Sequence, residues 1–393
     1  MSPDIIIVGG GIMGTASAFF LNRRGQRVLL LERGLVGQHA SGTNFGNVRR
    51  QGRFLPQMAL ANRSRALWGQ LPELIGDDLE FIPSGHIRVC YRPEEIQQLQ
   101  DYAQAPEARE LGLQVYEGAT MRERFPWLGP DVLAASHAPF DGHANPRLAA
   151  PAFARAGKRE GVDLRENVEI ASIDKVGEHF EVRSTSGQVF TAPKVLVTAG
   201  AWGGRLSTQF GEPVPMVTRG PQMAVTEPLP YVFKEVVGVY SKVTDEVIYF
   251  RQIPRGNVIF GGCFRTFPDL DSLRSAAAPE ALILQLDRLK RLAPSLARAS
   301  VIRTWSGVEG YVEDDRPIMG PSGQVDGLYY AFGFCGHGFQ LGPGVGDVMA
   351  ELIATGATST PIAPFDIARF QAPSLLVGAG SAREALAIAH PSA

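Results

Sequence analysis

The chain's apolar pattern opens with four aliphatic positions in a row, Ile5-Ile6-Ile7-Val8. A run this short and unbroken predicts a strand buried on both faces of a parallel sheet, not a helix. Residues 12–24 carry a helical pattern, with small Ala16, Ser17 and Ala18 facing the sheet and Gly25 ending the helix. Val28-Leu29-Leu30-Leu31 predicts a second buried strand, closed by Glu32. The same grammar returns at 194–202, a strand running into a Gly turn before a helix, and again at 328–334. After that last strand the Gly-rich stretch 336–343 predicts a loop, with a helix over 344–354 beyond Pro343. A long glycine-rich loop is expected over 37–52, before a helix near Pro56. In the middle of the chain, 214–226, 236–250 and 257–264 read as antiparallel strands. An amphipathic helix over 279–292 follows, with Ala281, Leu284, Leu286 and Leu289 among its apolar positions.

Composition narrows the function classes. The 393 residues are 45% hydrophobic and 20% charged, which is ordinary for a globular chain. Lys plus Arg number 38 against 40 Asp plus Glu, a net charge of −2, so nothing favours nucleic acid or an anionic membrane as partner. No apolar run reaches the length of a membrane span, and no leader is expected ahead of Ile5. Cys90, Cys263 and Cys335 are too scattered for a disulfide framework, a zinc site or an iron–sulfur cluster, so no metal is expected. A reducing, cytoplasmic setting fits these features.

Candidate chemistry begins in the first turn. Gly9-Gly10-Gly11-Ile12-Met13-Gly14 contains Gly-x-Gly-x-x-Gly between the first strand and the first helix. Gly9 allows the tight turn, Gly11 lets backbone approach a pyrophosphate, and Gly14 lets helix and strand pack closely. The helix start offers free N–H groups to phosphate, and Glu32 offers acceptors to ribose hydroxyls. Strand, glycines, helix, strand and acid in that order predict a bound dinucleotide; glycines serving only a turn would not explain Glu32.

Three further segments choose between dinucleotides. Thr198-Ala199-Gly200-Ala201-Trp202, Gly336-His337-Gly338-Phe339-Gln340 and the loop opening at Glu32-Arg33-Gly34 favour a flavin. Together they resemble the D-amino-acid-oxidase (DAO) superfamily of FAD enzymes, over nearly the whole chain to about Phe370. Ser41-Gly42-Thr43-Asn44, Gly307-Val308-Glu309-Gly310 and Phe334-Cys335-Gly336-His337-Gly338-Phe339 look most like the β subunits of dye-linked proline, hydroxyproline and opine dehydrogenases. The resemblance implies an α/β fold of the glutathione-reductase-like type: a Rossmann-like FAD-binding domain interleaved with an α+β substrate domain built on an antiparallel sheet. It places the FAD domain at 1–76, 141–211 and 305–370 and the substrate domain at 77–140 and 212–304, with an Ala-rich tail over 371–393.

The resemblance also implies residue roles. Non-covalent FAD would lie along Gly9, Gly11, Ile12, Met13 and Gly14, with Glu32 and Arg33 at the ribose end. Ser41, Gly42, Thr43, Asn44 and Val168 would join them, as would Ala199, Gly200 and Trp202. Gly336, His337, Gly338, Phe339 and Gln340 would lie beside the flavin ring, where backbone N–H groups, Leu341's included, stabilise the reduced anion. Arg49 matches the position that holds a substrate carboxylate, against a solvent-facing reading of the basic stretch Arg49, Arg50, Arg53; Arg251 and Arg255 are further candidates. Glu309 stands where glycine and D-amino-acid oxidases carry an arginine, and would favour an amine or guanidinium instead. His39 lies near a histidine that carries covalent flavin in dimethylglycine and sarcosine dehydrogenases, without that pattern's tryptophan. Ile259 stands where monomeric sarcosine oxidase has an oxygen-activating lysine, which predicts poor use of oxygen unless Arg255 swings in.

The activity so implied is oxidation of the C–N bond of an amino or secondary-amine acid. Oxidation of a C–O bond with His337 as base stays open, as does an NAD-dependent enzyme. A flavin subunit active only with partners carrying an iron–sulfur cluster and a second dinucleotide, or delivering electrons to a quinone or dye, is a third reading.

Overall fold

The computed structural model describes residues 2–269, 271–272 and 274–370; the tail expected over 371–393 lies outside the described residues. A six-stranded sheet sets the frame. Its order is Ile318–Pro321, Leu328–Phe332, Lys194–Val197, Ile5–Val8, Val28–Leu31 and Asp163–Arg165. All neighbours run parallel except the first pair. Period-two alternation splits the first strand between two cores. Ile5 and Ile7 pack beneath the helices Ile12–Arg23, Pro146–Glu160 and Gly338–Thr355, while Ile6 and Val8 face Ile173, Phe180 and Val182 of a three-stranded antiparallel sheet. Burial on both sides is why this strand is apolar without interruption.

A second, eight-stranded sheet runs Val301–Ser306, Gln222–Pro228, Asn257–Gly262, Ile248–Gln252, Val236–Val239, His86–Cys90, Ala134–Ala138 and Gln114–Glu117. One face packs Ile87, Val89, Phe250 and Phe260 against Leu289 and Leu292 of the helix Pro279–Leu292. The other face turns toward the first sheet and carries His86, Arg88 and Tyr249.

Several elements depart from expectation. The stretch 214–226 is two strands in two sheets: Met216–Arg219 pairs with Glu309–Val312, and Gln222–Pro228 joins the large sheet. Pro221 between them has no N–H to continue a ladder. The stretch 236–250 is likewise two strands, Val236–Val239 and Ile248–Gln252, and the first pairs parallel to His86–Cys90. The loop 37–52 holds a short helix, Ala40–Thr43, and a strand, Asn47–Val48. Gln285, buried among the apolar positions of Pro279–Leu292, donates to Gln222 O at 3.0 Å and Gly262 O at 3.1 Å, pinning the helix to two strand ends.

The last helix begins six residues before the expected start and runs through Pro343, Gly338–Thr355. An internal proline removes a ladder donor. The next rung, between Gly344 N and Gln340 O, is served by the neighbouring helix Met58–Trp68: Ser64 Oγ accepts from Gly344 N at 3.0 Å, while Ser64 Oγ and Trp68 Nε1 donate to Gln340 O at 2.6 and 2.8 Å.

Candidate active site

A single elongated cavity of about 640 Å³ runs from the first strand-to-helix turn to the inner face of the large sheet. At its first end, Gly9 has φ +114°, and a side chain there would stand 2.7 Å from Thr198 O. Gly9 is therefore obligatory for both backbone shape and space. The helix Ile12–Arg23 opens onto the cavity with Gly11 at its N-cap, and Ser41 Oγ accepts from Ile12 N at 2.9 Å. The N–H groups of Gly11 and Met13 find no acceptor among the described residues, which leaves them for a ligand anion. Gly14 lies behind the wall, where an added Cβ would fall 1.9 Å from Gly9 O; it serves the close packing of helix on strand.

Glu32 is buried at the end of its strand, its Oε2 accepting from Gly10 N at 2.6 Å and its Oε1 from Gly34 N at 2.8 Å. A carboxylate so held keeps lone pairs for the cavity it lines. Arg33 lies 3.7 Å over the Trp202 ring, and the His39 ring centroid is 5.2 Å from it. Burial first, then Arg33, pushes the His39 pKa down to about 4, so the imidazole is neutral. Val168, Ala199 and Gly200 complete this wall. Asn44 also lines the cavity, but Gly42 and Thr43 do not. A Cβ at Gly42 would meet Gly37 O at 2.3 Å, and Thr43 O accepts from Trp305 Nε1 at 2.7 Å, so both hold the loop rather than face the cavity.

Further along, the turn Gly336–His337 leads into the N-terminus of Gly338–Thr355, and Gly338, Phe339 and Gln340 face the cavity. Leu341, whose N–H was also expected here, does not line the cavity, and its side chain lies in the apolar core. Two buried amide oxygens on the wall, Gln340 Oε1 and Asn47 Oδ1, lack a donor among the described residues. Buried polar atoms in a native site are seldom unpaired. FAD carries ribose and ribityl hydroxyls and a ring N–H, the donors that such oxygens lack. The open helix start, the acid at the strand end and these orphan acceptors fit that group.

The far end is rich in guanidinium. Arg49 Nη2 lies 3.5 Å from His337 Nδ1, and Arg49 Nη1 donates to Gln51 O. Arg53 donates to Arg49 O at 2.8 Å, Gln57 Oε1 at 3.2 Å and His337 O at 3.3 Å. Arg88 and Arg265 also line the chamber. Burial, then Arg53, Arg49, Arg265 and Arg88, hold the His337 pKa well below its ordinary value; facing Arg49, its Nδ1 is an acceptor. Opposite in charge, Glu309 accepts from the Tyr311 hydroxyl at 2.5 Å, and Arg265 lies 4.7 Å over the Tyr311 ring. Burial raises the Glu309 pKa, against the lowering effect of Tyr311 and Arg265.

Some expected residues stand elsewhere. Arg50 is not solvent-facing but pairs with buried Asp141 at 3.2 Å. Arg251 donates to Phe45 O at 2.8 Å and is within 3.0 Å of His143 Nδ1, outside the cavity wall. Arg255 is exposed and turned toward Glu80. Ile259 packs with Phe45, Met223 and Trp305 and does not reach the wall. Among the described residues no lysine lines the cavity, as expected, but six arginines do, four of them (Arg49, Arg53, Arg88 and Arg265) at this far end, so the argument from a missing cation to poor oxygen use does not hold. Sequence reasoning missed Arg88, Arg265, His86, Tyr249 and Tyr311. The alternation His86-Ile87-Arg88-Val89 was a usable signal, since it puts two polar residues on one strand face.

A parallel sheet that opens one helix start onto a long cavity beside an acid at a strand end, with a second helix start at a cation-lined chamber, is the arrangement of a dinucleotide-binding fold. Residues 4–352 match the DAO family, FAD-dependent oxidoreductases, and the chain belongs to it. FAD is the cofactor. Glycine oxidase of Geobacillus kaustophilus is 30% identical over 93% of this chain and 97% of its own. Sarcosine oxidase subunit beta of an Arthrobacter species is 27% identical, covering 99% of this chain and 95% of its own. L-proline dehydrogenase from P. horikoshii superposes with a TM-score of 0.86 at 26% identity, over 94% of this chain and 98% of that one. Among the described residues, no helix is long and apolar enough to cross a membrane and no cluster of side chains could hold a metal ion.

Proposed function

We propose that this chain oxidises the C–N bond of an amino acid or secondary-amine acid. The observation that carries the reading is the presence, in one chamber, of a guanidinium wall led by Arg49 and a buried carboxylate, Glu309. Arg49 is a planar fork suited to the substrate carboxylate. Glu309, with its raised pKa and its Tyr311 partner, suits the amine: it attracts the protonated nitrogen and takes up its proton. The neutral amine then has a lone pair to form C=N as the C–H bond breaks with its electron pair. FAD supplies the two-electron acceptor for that hydride. Water adds to the imine and releases amine and carbonyl compound. The N–H groups at the start of Gly338–Thr355 stabilise negative charge in the chamber, beside the buried Phe339.

In this reading the glycine turn, Glu32, Ser41 and the Trp202 wall hold the nucleotide half, within a FAD-binding part at 1–76, 141–211 and 305–370. Residues 77–140 and 212–304 supply the sheet that covers the substrate. His337 is a poor proton acceptor among four guanidiniums, which weakens the C–O reading. Similarity to a protein named as a β subunit supports a hetero-oligomeric setting. Mixing holoprotein anaerobically with glycine, N-methyl amino acids, proline and N-carboxyalkyl amino acids tests the function. Bleaching of the flavin band by at least one, with stoichiometric carbonyl product, is expected; bleaching only by 2-hydroxy acids would reverse the assignment.

A further inference from the structure

The chamber holds more positive charge than one carboxylate can answer. Of its four guanidiniums, Arg265 sits with Glu309 and Tyr311, and the nearby Asp141 is engaged by Arg50. Arg49, Arg53 and Arg88 form no ion pair among the described residues. Arg53 spends its donors on two carbonyls and Gln57, and Arg49 spends one on Gln51 O. Arg88 spends none: no acceptor among the described residues lies within hydrogen-bond reach, and its head rests 4.6 Å from the Tyr240 ring. Burying a cation without a counter-charge is costly, so its persistence on a cavity wall points to an anionic ligand.

The surroundings of Arg88 are built for it. Gly52, at φ +70°, leaves room that a Cβ would close, falling 1.8 Å from Arg88 Nη1. Two residues away on the same strand face, His86 lines the cavity beside Arg88. Gln51 Nε2 donates to His86 Nδ1 at 2.7 Å, and the amide is oriented by His86 O at 2.7 Å, Ser136 O at 3.3 Å and Ser136 Oγ at 3.2 Å. With Nδ1 accepting, Nε2 carries the hydrogen, so His86 is a neutral donor beside a cationic one.

We propose that Arg88 and His86 form a second carboxylate site, and that the substrate is a secondary amine bearing a carboxylate on each of its two arms. One carboxylate meets Arg49, the nitrogen meets Glu309, and the other carboxylate meets the unpartnered fork of Arg88 and Nε2–H of His86. This rests on the amine-oxidising reading and narrows it from amino acids in general to dicarboxylic secondary amines.

Glutarate, in which CH2 replaces the NH of iminodiacetate, isolates binding from chemistry; butyrate is its one-carboxylate counterpart. Titrated into holoprotein and read by calorimetry, glutarate is expected to bind about 50-fold more tightly than butyrate. Arg88→Met should bring that ratio to within about threefold of one, and Arg88→Lys should restore part of it, at unchanged FAD content and melting temperature. The wild-type ratio needs no variant: glutarate and butyrate binding alike overturns the proposal. Anaerobic flavin reduction separates the two levels. Sarcosine reducing the flavin as efficiently as iminodiacetate overturns the second site and leaves amine oxidation standing. Glutarate preference with no reduction by any amine overturns the oxidation reading.

Discussion

At the scale of single residues, Glu32 does two jobs at once. Its carboxylate faces the nucleotide cavity and also closes the turn by accepting from Gly10 and Gly34. Glu32→Ala should therefore weaken FAD binding by about 10- to 100-fold, the effect of losing one or two charge-assisted bonds. It should also lower the stability of the apoprotein by about 2–3 kcal/mol, since one buried donor, Gly10 N, and one half-buried donor, Gly34 N, lose their acceptor. FAD fluorescence on dialysis and urea unfolding of apoprotein measure the two effects separately. Arg49→Ala is expected to raise KM about 100-fold with a smaller change in kcat, because ground state and transition state lose the same carboxylate contact. His39, tilted against the Trp202 ring and neutral, should leave FAD free to dissociate when the protein is denatured in acid; flavin colour that stays with the precipitate would make His39 a covalent anchor. That Gly9, Gly11 and Glu32 line the cavity was legible because their placement is local, set by a turn and a strand end. Arg88 and Arg265 were not, because which face of a strand looks into a cavity depends on a second sheet far away in sequence.

Elements show the same division. The first strand, the first helix and the helix Pro279–Leu292 follow from periodicity, since each buries a face that its own sequence marks. The helix through Pro343 does not, because the groups that tolerate the proline come from Ser64 and Trp68 on another helix. Ser64, fully buried, bridges two backbone groups of that one helix, accepting from Gly344 N and donating to Gln340 O. Ser64→Ala should cost about 1–3 kcal/mol of stability, the loss on leaving buried backbone groups unpaired. Ser64→Cys, which keeps the volume and a weak donor, should recover part of it. Denaturant midpoints of the three proteins rank the effect.

At the scale of the molecule, buried histidines make stability depend on pH. His143 is packed with its Nδ1 facing Arg251 and its Nε2 without a partner among the described residues, and burial, then Arg251, pushes its pKa down from 6.5 to about 3. Between those values the unfolded chain holds a proton that the native chain refuses. Stability from this group is therefore present above 6.5 and is lost as pH falls toward 3. At pH 5 the loss is about 2 kcal/mol. His86, also held well below its ordinary value by burial, then Arg49 and Arg88, adds a loss of the same sign. Urea midpoints should fall between pH 7.5 and 5, and His143→Gln should flatten that slope relative to wild type.

The central sheet gathers its strands from distant parts of the chain: Ile5–Val8 lies beside Lys194–Val197, which lies beside Leu328–Phe332. The first helix is clasped by the last, so tightly that a Cβ at Gly346 would come within 2.5 Å of Ala16 Cβ. During synthesis the glycine turn leaves the ribosome first yet has no finished walls until the last helix follows it. Loading of FAD should accordingly be among the final events of biogenesis, after translation has passed residue 355. Nascent chains arrested before Gly338 should emerge without flavin, and those released in full should acquire it, a difference that flavin fluorescence of stalled and released complexes would register.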